Sequence, residues 1–291
     1  MRLVISGASG QLARRAAELA LAVVRPDDLI LTTRTPAALA SFAARGVTVR
    51  QADFADPRSL RAAFAGGERL LLVSATDLGA RTAQHRAAIE AARGAGVRHV
   101  IYTSGLKPEP PNPAVVAPSH YATEQALTQS GLDWTILRNS LYADYQVPEA
   151  EGAIATGELV HNRGRGVTAY VAREDCAAAA ATVLVQDGHE RAVYEITGAE
   201  VFSADDLAAL YAEIGGRPVR ARPLDDAAFV ATLVGDAKGD DHRRYGAELV
   251  TSFGRSIREG YMDSCTHAVA KLTGRAPLTL RQLLVPVLRF G

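Results

Sequence analysis

Two cysteines, Cys176 and Cys265, are all that the 291 residues contain, too few for a disulfide framework and in keeping with a reducing compartment. Lysine is also scarce: only Lys107, Lys238 and Lys271 occur, so the positive charge rests on arginine. No excess of one sign exists either, because 32 Lys plus Arg face 32 Asp plus Glu. That balance excludes a global positive field able to hold a nucleic acid. The longest apolar run, Cys176 to Val185, is about half of the roughly 20 residues a bilayer-spanning helix needs. After Met1 and Arg2 a short apolar stretch runs directly into Gly7 and Gly10, without the hydrophobic region of a signal peptide. The expected location is cytoplasmic, with no membrane or nucleic acid among the partners. The histidines at 85, 99, 161, 189, 242 and 267 show no ligand spacing with cysteines or acids, so no metal is expected.

With 48% hydrophobic residues the chain can bury one large core or two smaller ones. Short β-rich runs alternate with Ala-rich helical stretches, the pattern of a parallel sheet covered on both faces. Strands are expected at Leu3–Ser6, Leu29–Thr33, Val47–Asp53, Leu70–Ser74, His99–Thr103 and Trp134–Arg138, with helices over Leu12–Val24, Pro36–Arg45, Pro57–Ala65, Arg81–Ala95 and Ser119–Ser130. Several of these helices open with Pro and close at Gly46, Gly96 or Gly131. The fold class is thus α/β, a doubly wound parallel Rossmann sheet with a smaller C-terminal α/β lobe. Residues 1–140 and about 167–186 form the dinucleotide-binding domain, and about 141–166 and 187–291 the substrate-binding lobe.

Beyond Arg138 the sequence reads as a loop over Asn139–Gly166, a strand near Val167–Tyr170, a helix over Arg173–Gln186, a strand at Ala192–Thr197, and helices at Ser203–Gly215 and Asp225–Leu233. Gly235 to Arg244 lacks periodicity and reads as a solvated loop. The prolines at 108, 110, 111, 113 and 118 predict a rigid loop after the fifth strand, either a surface connection or a wall over the substrate. Cys176 and Trp134 read as core residues.

Gly7-Ala8-Ser9-Gly10-Gln11-Leu12-Ala13 follows the first strand directly. Glycines so placed allow a tight turn and let backbone N–H groups approach a pyrophosphate at a helix N-terminus. At the end of the second strand stands Thr32-Thr33-Arg34, while the nearest acids, Asp27 and Asp28, precede the strand. A guanidinium suits a 2′-phosphate where a carboxylate would suit a ribose diol, so NADP(H) is favoured over NAD(H). Asp53, ending the third strand, is placed for an adenine amino group, and Ser74-Ala75-Thr76 for the ribose.

The phenol–lysine relay of short-chain dehydrogenases is missing. Four residues after Tyr121 stands Gln125, and no lysine lies between Lys107 and Lys238. An acceptor that takes hydride without a strong acid, such as a quinone or cationic dye, fits better than a carbonyl. His120 and Glu124, one helical turn apart, are candidates to orient a substrate or relay protons, or form a surface ion pair.

The glycine loop, Thr33-Arg34, Val47–Phe54, Leu70–Thr76, Gln84-His85-Arg86, Tyr102-Thr103-Ser104, Thr135–Asn139, Ala172–Ala177 and Val193–Gly198 together resemble the NmrA-like atypical short-chain dehydrogenases/reductases. Within these the sequence is most similar to bacterial type-2 NAD(P)H:quinone oxidoreductases and triphenylmethane dye reductases. The resemblance implies flavin-free hydride transfer from NADPH to a small conjugated acceptor. The cofactor contacts expected are Gly7, Ala8, Ser9, Gly10, Gln11, Leu12, Arg34, Asp53, Phe54, Ser74, Ala75, Thr76, Thr103, Arg138, Asn139, Ser140, Leu141, Tyr142, Ala143 and Arg173. Tyr142, Asn139 and His120 are the candidate catalytic residues, with protons from solvent, Tyr142, His120 or Lys107. Ala13 and Ser140 depart from the family pattern, which has glycine at both. Three alternatives stay open: an NADP(H)-binding redox sensor without turnover, a reductase of a cationic dye or enone, and a homodimer as the assembly.

Overall fold

A computed structural model of the chain describes residues 1–235 and 240–288. The first half alternates β1 Leu3–Ile5, α1 Gln11–Leu21, β2 Leu29–Thr33, α2 Ala40–Ala43, β3 Thr48–Gln51, α3 Pro57–Phe64, β4 Arg69–Leu72, α4 Arg81–Gly94, β5 His99–Gly105, α5 Ala117–Thr128 and β6 Asp133–Asn139. After it come α6 Gln146–Thr156, β7 Glu158–His161, α7 Arg173–Val185, β8 Ala192–Ile196, α8 Ala204–Gly215, β9 Arg220–Pro223, α9 Asp226–Val234, α10 Asp241–Arg258, α11 Ala268–Thr273 and α12 Leu280–Leu288.

Seven strands form one parallel sheet in the order β3-β2-β1-β4-β5-β6-β8. Residue alternation divides its two faces. Leu3, Ile5, Leu29, Leu31, Leu71, Ile101 and Leu137 pack with α1, α7 and α11, whereas Val4, Ile30, Leu70, Leu72, Val100, Tyr102 and Ile136 pack with α3, α4 and α5. Burial on both faces explains why these strands are nearly continuous apolar runs. Successive connections leave β1 in one direction toward β2 and β3, then in the other toward β4, β5 and β6. The order therefore reverses between β1 and β4, and the crevice beyond their carboxyl ends is the ligand position of such sheets.

A separate core of Ala150, Ile154, Leu159, Leu207, Tyr211, Leu280 and Leu284 unites α6, α8, α12 and the parallel pair β7–β9 in a smaller lobe. Several expectations are corrected there. The Asn139–Gly166 loop holds α6 and β7, with Pro148 tolerated in the first helical turn, where no N–H partner is lost. Val167–Tyr170 is not a strand, since Thr168 makes only a single bridge with Phe202. The Gly235–Arg244 loop is interrupted because α10 begins at Asp241, capped by the Asp240 carboxylate on the Arg243 N–H; residues 236–239 of that expectation lie outside the described residues. Pro118 sits in the first turn of α5 instead of the loop before it. Trp134 is half-buried beside its cluster rather than within it. β8 pairs with β6, so the chain around residues 192–196 joins the large sheet and not the smaller lobe.

Segments remote in sequence are tied together along one strip at the carboxyl ends of β6 and β8, where the lobe adjoins the sheet. Ser140 N–H bonds Ile196 O at 2.9 Å, and Ala143 N–H bonds Val171 O at 2.8 Å. Thr266 N–H bonds Thr197 Oγ1 at 2.8 Å, and Leu278 N–H bonds the buried Asp175 Oδ2 at 2.7 Å.

Candidate functional site

The β1–α1 turn is drawn tight by backbone alone. Ala8 N–H bonds Thr32 O at 2.9 Å and Gly10 N–H bonds Gly7 O at 2.8 Å. Gly7 adopts φ +61°, and a Cβ there would meet nothing within 4 Å, whereas one on Gly10 would come within 3.3 Å of Gly7 O. Glycine thus supplies the turn at the first position and open space beside it. Among the described residues no side chain caps α1, and its first turn holds no acid. Its first N–H groups and positive dipole end are therefore available to an anion. Thr33 Oγ1 donates to Ser9 Oγ at 3.0 Å and accepts from Thr35 N–H at 3.2 Å, which leaves the Ser9 hydroxyl proton free to donate. Arg34 is exposed next to them, and Asp27 and Asp28 lie at the opposite end of β2. Asp53 is half-buried, its backbone N–H fixed by Ser59 Oγ at 3.0 Å.

Beyond β4 the backbone has no ladder partner and side chains take over. Val73 N–H bonds Ser6 Oγ at 3.0 Å, Ser74 N–H bonds Thr103 Oγ1 at 2.9 Å, and Ala75 N–H bonds His85 Nε2 at 2.9 Å. Arg81 Nε donates to Ala75 O at 2.7 Å. His120 is buried and does not pair with Glu124. Its Nδ1 lies 2.7 Å from Tyr102 Oη and its Nε2 3.4 Å from Arg81 Nη1. Burial, then the Arg81 charge, push both His85 and His120 down to about 3, so both are neutral at ordinary pH.

Glu124 is buried as well and receives Ser104 Oγ at 2.6 Å, Arg138 Nη2 at 2.6 Å and Arg138 Nε at 3.1 Å. Arg138 also reaches Glu109, so its guanidinium is spent on a bidentate structural pair. Arg173 is likewise occupied. It bonds Asp144 Oδ1 at 3.0 Å and lies 5.1 Å over the Tyr142 ring and 5.6 Å over the Tyr145 ring. Tyr142 receives Asn139 Nδ2 at 3.4 Å, and burial pushes its phenol well above the usual range. Asn139 Oδ1 and Ser140 Oγ are buried without hydrogen-bond partners among the described residues. Such orphaned groups at the end of β6 fit the polar edge of a bound ring.

Leu106 packs against Ile257 and Met262. Ser256 Oγ donates to Asn112 Oδ1 at 2.9 Å, and Val115 N–H bonds Ser252 Oγ at 3.1 Å. The proline-rich loop is therefore clasped by α10 and is no free surface connection. Lys107 Nζ pairs with Asp263 and donates to Gly260 O at 3.1 Å.

Most of the expected residues thus follow the carboxyl ends of β1 to β6, with Asp53 and Phe54 after β3, while His120 stands on α5 and Arg173 at the start of α7. The sequence alone does not single out Ser6 or Arg81, nor the role of Thr33 and His85 beyond their place in the family motifs, nor Thr123, whose Oγ1 lies 3.0 Å from His85 Nδ1. The available signal was Arg81 and His85 at i, i+4, just after the β4 loop.

An NAD(P)H-binding family model matches residues 7–187. Quinone oxidoreductase 2 of Escherichia coli is 34% identical over 280 residues, 96% of each chain. The structure of the Escherichia coli NADPH-dependent quinone oxidoreductase complexed with NADPH superimposes with a TM-score of 0.92, covering 98% of this chain and 99% of that one at 34% identity. The triphenylmethane reductase of Citrobacter sp. complexed with NADP(H) gives 0.88 at 30% identity, over 97% and 99%.

Proposed function

The chain belongs to the NAD(P)H-binding, NmrA-like family, and on that footing we propose that it is an NADPH-dependent reductase that passes hydride directly to a quinone or similar conjugated acceptor, without flavin or metal. The observation that carries the reading is the agreement over nearly the whole of both chains with a quinone oxidoreductase that binds NADPH, joined to a glycine cradle open to an anion.

Bound NADPH supplies the hydride. Gly7 to Leu12 would hold the pyrophosphate through backbone N–H groups and the end of α1. Arg34 and the Ser9 hydroxyl would take the 2′-phosphate, Asp53 and Phe54 the adenine, and Ser74 to Thr76 with Thr103 the ribose side. Asn139 to Ala143 would face the nicotinamide and acceptor. Arg138 and Arg173 serve this site by holding Glu124, Asp144 and Tyr142 in place. Reducing a quinone to a hydroquinone consumes a proton besides the hydride. Tyr142, kept protonated by burial, is a hydrogen-bond donor to the acceptor oxygen, and solvent provides the proton. Neutral His120, turned to Tyr102 and Arg81, orients the site instead of acting as an acid. Orientation and exclusion of water then carry most of the acceleration.

The test is oxidation of NADPH and NADH by purified protein against benzoquinones, naphthoquinones, a triphenylmethane dye and simple ketones. Rapid turnover with quinones and NADPH, and little with ketones, is expected. Tight NADPH binding with no turnover on any acceptor overturns the reading.

A further inference from the structure

Both backbone groups of Ala75 are held from one helix. His85 Nε2 accepts its N–H at 2.9 Å and Arg81 Nε donates to its carbonyl at 2.7 Å. His85 is fully buried and Arg81 is 7% exposed. One turn separates the two on α4, so a single rigid element makes both contacts.

Hydrogen-bond arithmetic fixes the histidine's tautomer. Thr123 Oγ1 gives its only proton to Ser119 O at 2.8 Å. It can therefore only accept from His85 Nδ1, 3.0 Å away. Nδ1 thus carries the ring proton and Nε2 is bare, as the Ala75 N–H requires. The same chain of donors keeps a second proton off the ring, because protonated Nε2 would oppose an N–H with an N–H.

From this geometry we propose that His85 is a positioning residue for NADPH, shaping the Ser74–Thr76 wall before the cofactor arrives. The role follows from where β4 stops. Its last ladder residue is Leu72, and without outside acceptors the next N–H groups would point into the crevice and compete with a ligand's own contacts. Ser6 and Thr103 hold Val73 and Ser74 from the neighbouring strands. Ala75 lies beyond their reach, and the helix supplies the acceptor. The proposal rests on the reading of Ser74–Thr76 as part of the NADPH site.

Three variants separate the grip from simple packing. His85→Gln places an acceptor near the Nε2 position, His85→Asn keeps only a group near Nδ1 facing Thr123, and His85→Ala removes both. The readouts are amide hydrogen exchange at Ala75 without cofactor, NADPH affinity by titration, and the split between NADPH KM and kcat with a quinone; thermal melting checks that each variant is folded. His85→Gln is expected to keep Ala75 protected and bind NADPH within about threefold of wild type. His85→Asn and His85→Ala are expected to expose the amide and weaken NADPH about tenfold, roughly one hydrogen bond, chiefly through KM. Equal exchange at Ala75 in wild type and His85→Ala, or equal NADPH affinity in all three folded variants, would overturn the positioning role. Protected Ala75 in a wild-type protein that does not bind NADPH would overturn the cofactor reading beneath it, and the proposal with it.

Discussion

On the β1–β2 side of the crevice the chain offers bare backbone N–H groups, space beside Gly7 and an exposed Arg34. On the β4–β6 side most polar groups are already engaged: Ser6, Thr103 and His85 hold the backbone after β4, and Glu124 gathers Ser104 and Arg138, with Asn139 Oδ1 and Ser140 Oγ the exceptions. One side waits for a ligand's charge, whereas the other has its shape set beforehand. Substitutions on the first should therefore cost affinity directly, and those on the second cost stability or, as at His85, affinity through the shape of the wall.

The largest effect is expected from Arg138→Ala, which removes the guanidinium from the 5%-exposed Glu124 side chain and leaves only the Ser104 hydroxyl on it. A loss of about 3 to 5 kcal/mol is expected in urea unfolding; a loss below about 1 kcal/mol would move this pair to the negligible class of surface bridges. Next comes Arg34→Glu on the open side. It should weaken NADPH about 100-fold, near 2.7 kcal/mol, with NADH binding and unfolding midpoint almost unchanged; equal losses for both coenzymes would remove Arg34 from the phosphate site. The smallest effect over any single pH unit is a graded one. His85 and His120 stay neutral in the fold down to about 3, against an ordinary value of 6.5. The unfolded chain therefore binds more protons as pH falls below 6.5, and the stability present above that pH is lost progressively toward 3. The slope should be on the order of 1 kcal/mol per pH unit for each histidine. Urea titrations across that range should show it, and the double variant His85→Gln/His120→Gln should flatten it. An unaltered slope would remove the histidines as its source, since a carboxylate such as Asp226, which Arg258 and its neighbours hold below the usual range, contributes only below about pH 5.

The large sheet was legible because both of its faces are covered. Leu29–Thr33 reads as a strand and is one without adjustment. In the smaller lobe α8 was legible, but β7, β9 and α6 were not, since β7 and β9 are four-residue strands carrying Glu158, Arg220 and Arg222, and α6 contains Pro148 and Gly152. Local composition argues against each of these elements, and tertiary packing overrides it. The glycine cradle could be read from spacing because backbone conformation dictates it. The grip on Ala75 could not, because a histidine meeting a peptide ten residues earlier depends on how α4 lies across the sheet.

The strip where Ser140 meets Ile196, Ala143 meets Val171, Thr266 meets Thr197 and Leu278 meets Asp175 has a consequence for recombination. Segments remote in sequence are stitched together there, so a chimaera made by one crossover would join half of one parent's seam to half of another's. Transplanting the smaller lobe from a relative with a different acceptor requires breakpoints at each of these crossings, with both partners of every stitch taken from the same parent.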